Sequence, residues 1–125
     1  DLCQWLDFKI FQASQLKEKL VDSRLTIERG AETARNRMFF DNLEFVERRS
    51  RQLVQKVNDY VAQAEELVNG LTLWVCALER GDVYQTTEAM NQLRVEELIV
   101  ELRERTLSIL AETAEFCAMA TNLAL

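Results

Sequence analysis

Apolar side chains recur along this chain at alternating steps of four and three residues. From Phe39 the steps reach Leu43, Val46, Ser50, Leu53, Val57, Tyr60, Ala64, Leu67, Leu71, Trp74 and Leu78, and eleven of these twelve positions are apolar. At 48% apolar residues overall, chance gives about six. A seam sustained over more than five heptads lets one helix lie along another. It passes Asn69-Gly70 without changing phase, which predicts one continuous helix there. A C-cap and turn at Asn69-Gly70 is the competing reading.

A second seam of the same spacing comes earlier: Leu6, Ile10, Ala13, Lys17, Leu20, Arg24, Ile27, Ala31, Ala34, Met38, eight of ten apolar. Continued, it falls on Asp41, Phe45 and Arg48, out of phase with the Phe39 seam. A break near residues 39–41 accounts for the slip. Asp41 there is a good N-cap, Glu44 stands at N3, and Phe40 with Phe45 fits a hydrophobic staple. Gly30, within Glu28-Arg29-Gly30-Ala31, is the rival end for the first helix. The clearest boundary is Gly81-Asp82: glycine suits a left-handed C′ position, Asp82 an N-cap, and Gln85 the N3 position.

The third segment, from about Val83 to about Leu123, carries two apolar columns. One is Val95, Leu102, Ile109, Phe116 and Leu123, reinforced by Leu98 and Met119. The other is Leu93, Val100, Leu107 and Ala114. An offset of two residues is about 200° around a helix, so the columns lie on opposite sides. A helix in a three-helix bundle meets its neighbours over one broad face, so the second column calls for a partner from outside. The pattern therefore predicts an all-α fold, an elongated antiparallel three-helix bundle of coiled-coil character. It forms one domain over residues 1–125, read as a fragment of a larger protein because no initiator Met precedes Asp1 and Cys117 to Leu125 is largely apolar.

Composition agrees with long helices. There is no proline and only three glycines, which disfavours a turn-rich β-sandwich. The formal charge of −6 disfavours nucleic-acid backbones and adhesion to anionic membranes. No apolar run reaches the roughly 18 residues of a membrane span, and residues 1–5 show no signal-peptide pattern. Cys3, Cys76 and Cys117 are an odd set without paired spacing, which reads as small apolar core residues in a reducing compartment, the cytoplasm.

Chemistry is then constrained by what is missing. Histidine is absent, and with it Ser-His-Asp and Cys-His catalysis and the Glu-x-x-His pairs of di-iron bundles. No Cys-x-x-Cys and no glycine-rich phosphate loop occurs. Glu97, Glu101 and Glu104 share one helix face. They read as a solvated row pairing with Arg94, Arg103 and Arg105 rather than as a cation site. Adjacent Glu65 and Glu66 do not face each other. The chain is expected to be no enzyme and to have no metal, cofactor or small-molecule substrate.

Residues 28–56 are locally positive, with seven basic against five acidic side chains, and Arg48, Arg49 and Arg51 are the densest group. They are a candidate patch for an anionic partner, set against a solvated face that pairs with the acidic third helix. Trp5, Phe8 and Phe11 cluster at the N-terminus and read as one end of the core, meeting Trp74 and Val75 if the first two helices are antiparallel. The function expected is a helical protein–protein interaction domain of a scaffold, cytoskeletal or tethering protein, binding a protein partner or a second copy. The assigned interface is Val95, Leu102, Ile109, Phe116 and Leu123. The alternative is a peripheral bundle that binds anionic lipid through Arg48–Arg51 and the N-terminal aromatics.

Overall fold

The computed structural model describes residues 1–81 and 88–123, and only the backbone of residues 40 and 88–90. The expected start of the third helix at Val83, with Asp82 as cap and Gln85 at N3, lies outside the described residues. Three helices account for nearly all the described residues: α1 (Leu2–Arg37), α2 (Phe40–Glu79) and α3 (Glu88–Leu123). No strand occurs among the described residues. At a rise of 1.5 Å per residue, α1 and α3 are about 54 Å long and α2 about 60 Å.

Cross-helix pairs set the topology. Lys17–Glu65 (3.2 Å) and Arg35–Glu47 (2.6 Å) run α1 against α2 in opposite directions. Lys56–Glu112 (3.1 Å) and Arg49–Glu112 (3.4 Å), with an Arg105–Gln63 hydrogen bond, do the same for α2 and α3. Lys9–Glu96 (2.8 Å) leaves α1 and α3 parallel. The result is the all-α, antiparallel three-helix bundle that the seams predict. α1 packs most extensively on α2, and the α2–α3 contact is the thinnest.

The core is a column of apolar layers. Leu6, Leu20 and Ile27 of α1, Val46, Leu53 and Val57 of α2, and Ile99, Ile109 and Phe116 of α3 are all buried. Each such side chain contributes roughly 1.5–3 kcal/mol by leaving water. α1 buries two flanks, one on each side of the shared positions Leu6, Ala13, Leu20, Ile27 and Ala34. The flank toward α2 is the one the four-three spacing picks out. The flank toward α3 holds Lys9, Leu16, Ser23 and Gly30, where small or polar residues let α3 approach.

Helix ends obey local chemistry with one revision. The Asp1 side chain accepts a hydrogen bond from the Gln4 backbone N–H (3.1 Å) and caps α1. Arg35 and Arg37 sit in its last turn, where cations oppose the helix dipole. Only Met38 and Phe39 separate α1 from α2, both extended. The expected Asp41 cap is not used: so short a reversal starts α2 at Phe40, and Phe39 stands at N-cap without a side-chain bond. Asp41 instead lies in the first turn, where its charge still favours the N-terminus. The staple's Phe40 side chain is not described, and Phe45 is exposed.

Gly30 does not end α1. The helix runs through it, and an added Cβ would stand 3.0 Å from Phe116 Cε2, so this glycine serves close approach of α3. Gly70 also lies inside a continuous helix. Gly81 is the stop: its φ of 75° is the left-handed conformation glycine accepts cheaply.

Candidate interaction surface

Neither apolar column of α3 can face both inward and outward, and the packing separates them. Val95, Leu102, Ile109 and Phe116 are buried in the chain's own core, and Leu123 is half-buried against it. This turns the assigned interface inward: four of its five residues are buried against the chain's own helices, and Val95 and Leu102 also border the groove between α2 and α3. The four win the interior because the column beside them on the α1 side, Ile99, Thr106, Thr113 and Ala120, is apolar or small and is buried with them, while Met119 packs against the core on the α2 side.

The opposite column stays open. Leu93 is 63%, Leu107 59%, Val100 45% and the adjacent Leu110 39% exposed. Ala111, Ala114 and Ala118 are exposed too. One flank of this column is Glu96, Arg103, Leu110 and Cys117, turned toward α1, as the Lys9–Glu96 pair shows. The other is Glu97, Glu104, Ala111 and Ala118. The face is thus charged around Val100 and almost uncharged beyond Leu107.

Between α2 and α3 a groove of about 590 Å³ opens. Leu67, Leu71, Trp74, Val95, Leu98 and Leu102 wall it, Gly70 leaves space in it, and Glu66, Arg94, Glu101 and Arg105 form its rim. Of the acidic row, Glu101 borders the groove and Glu97 lies 3.4 Å from Arg94 of its rim. No group of three or more metal-ligating side chains occurs among the described residues.

The arginine cluster does not act as a unit. Arg48 and Arg51 are exposed, but Arg49 turns to Glu112 of α3, which also takes Lys56. The pairing of a basic α2 start with the acidic third helix is therefore realised at these residues. Trp5 packs edge-on against Trp74 with ring centroids 6.5 Å apart, closing the end of the bundle as expected. Phe8 and Phe11 depart from that expectation: they are 54% and 58% exposed, because their positions on α1 point away from both neighbours. They also stand about 35 Å along the bundle from the arginines, at the opposite end. The aromatics near the arginines are instead Phe39 and Phe45, both exposed.

Lys9 is a site residue that the four-three spacing passes over. It is only 7% exposed, its ammonium lies over the Trp5 and Phe8 rings at 5.5 and 5.7 Å, and it pairs with Glu96. Its place three residues after Leu6 and four before Ala13 is the available signal. Cys3, Cys76 and Cys117 are free and half-buried. No helix among the described residues is long and apolar enough to cross a membrane. No family model, curated protein or solved structure matches the chain.

Proposed function

We propose that this chain is a non-enzymatic helical interaction domain of a scaffold, cytoskeletal or tethering protein, working through the outer face of α3. The observation that carries this is the column Leu93, Val100, Leu107, Ala114, left open along most of a helix whose opposite column is buried in the bundle. Isolated surface leucines are ordinary, but a continuous row at heptad spacing is what a second helix recognises. Burying the exposed parts of its three large side chains is worth on the order of 4 kcal/mol per chain before the losses of association. Three free cysteines support a reducing compartment such as the cytoplasm.

The test compares proteins retained from a cell lysate by the wild-type chain, by Val100→Glu, by Leu107→Glu and by the control Phe11→Glu. The proposal expects proteins held by wild type and control and lost from both α3 variants, with helicity unchanged in all four. Identical retention by all four chains overturns it.

A further inference from the structure

We infer that the groove between α2 and α3 is a binding site for a small organic cation with an elongated apolar body. It lies apart from the outer face of α3 and does not depend on the function proposed for that face. Its volume of about 590 Å³ falls within the roughly 300–1,000 Å³ usual for small-molecule sites.

The register of the two helices orders the groove. By the alignment that Lys56–Glu112 and Arg105–Gln63 fix, Glu66 of α2 and Glu101 of α3 stand at one height on opposite lips. About one turn beyond them, the Arg105–Gln63 hydrogen bond bridges the helices and closes that end. In the other direction Gly70 stands opposite Leu98, and Trp74 lies near Val95, about 12 Å from the carboxylates. Leu71, Leu98 and Val95 make this stretch apolar, and Gly70, with nothing within 4 Å of an added Cβ, gives it width.

The charges around the groove do not cancel. Arg94 is paired with Glu97 at 3.4 Å. The Arg105 guanidinium is held by Gln63 and lies 5.7 Å from the centre of the Tyr60 ring. Neither Glu66 nor Glu101 takes an ion pair among the described residues. Two unpaired carboxylates on facing lips attract a positive head and repel a negative one. A head set between them points its apolar body along the slot past Gly70 and onto Trp74, where it leaves water. The head alone gains only a contact in water, which solvent and salt weaken.

The test uses the whole chain with Trp5→Phe, which leaves Trp74 as the one indole. Trp74 emission is followed while decyltrimethylammonium is added below its micelle-forming concentration. Saturable binding with unchanged helicity is expected. Decyl sulfate has the same tail and the opposite charge, and tetramethylammonium is the head alone. Each is expected to bind roughly tenfold more weakly or worse. Gly70→Leu fills the slot and is expected to weaken the decyl cation roughly tenfold. Glu66→Gln together with Glu101→Gln is expected to erase the preference for the decyl cation over decyl sulfate, and Leu107→Glu on the outer face to change nothing. The site is overturned by a lack of saturable binding, by decyl sulfate or tetramethylammonium binding as tightly as the decyl cation, or by undiminished binding to Gly70→Leu. Persistence of the charge preference in the double glutamine variant overturns the role of the two carboxylates. Loss of binding in Leu107→Glu places the ligand on the outer face and overturns the groove.

Discussion

Two glycines inside helices should respond to the same substitution with opposite signs. Alanine is favoured over glycine in a helix by about 1 kcal/mol, because glycine loses more backbone freedom on folding. At Gly70 nothing lies within 4 Å of an added Cβ, so the whole gain should appear. Gly70→Ala is expected to raise stability by about 1 kcal/mol and the melting temperature by about 3 °C. At Gly30 the same Cβ meets Phe116 Cε2 at 3.0 Å, against an optimum of about 3.5–4.0 Å. The Phe116 ring is 2% exposed, so it has little room to swing clear. Overpacking of this kind costs about 1–3 kcal/mol, which leaves Gly30→Ala between neutral and about 2 kcal/mol destabilised. Urea unfolding followed by circular dichroism at 222 nm measures both variants. If Gly30→Ala is stabilised as much as Gly70→Ala, α1 and α3 are not in close contact at Gly30. If Gly70→Ala is destabilised, α2 turns at Asn69-Gly70 instead of running through it.

Two further substitutions test polar groups in the core. Thr113 is 7% exposed and its Oγ1 has no hydrogen-bond partner, so Thr113→Val should stabilise by about 1 kcal/mol in the same urea assay; a loss of stability would mean that the hydroxyl is bonded. Glu96→Gln should cost about 1–3 kcal/mol by leaving the buried Lys9 ammonium without its counter-charge, whereas Lys9→Met removes the charge and should be nearly neutral; equal losses would refute this account.

Heptad spacing in the sequence makes the three helices legible, along with the slip near residue 39 and the stop at Gly81, because each follows from local periodicity or from one residue's conformational freedom. The α3-facing flank of α1 is hidden, since Lys9, Ser23 and Gly30 do not look like a seam. Their role is to be short, or to bury a stem under a paired charge, and that shows only once Phe116 and Glu96 lie opposite. The Asp41 cap fails for a related reason. Capping preference is worth about 1 kcal/mol, and keeping Leu43 and Val46 in register with α1 after a two-residue reversal outweighs it.

The inversion of the α3 faces has a different origin. Both columns repeat every seven residues, and periodicity alone does not say which one points inward. The flanking columns do. Ile99, Thr106, Thr113 and Ala120 widen one column into a face broad enough for two neighbours, while Glu96, Glu97, Arg103 and Glu104 confine the other to a single row. A core needs the broad face, and a helix–helix seam needs only the row.

That distinction separates two substitutions only two residues apart. Ile109 is fully buried, and Ile109→Glu forces a carboxylate into an apolar layer with nothing to pair it. The several kcal/mol this costs is comparable to the whole stability of a domain, typically about 5–15 kcal/mol, so the variant should lose most of its helicity. Leu107 lies about 200° around the same helix and is 59% exposed, and Leu107→Glu should change folding stability by no more than about 0.5 kcal/mol. Circular dichroism of the two variants, with wild type beside them, reads the difference directly. Were both to unfold, the outer column would be holding the fold together instead of awaiting a partner. Were both to stay helical, Ile109 would not be at the centre of the bundle.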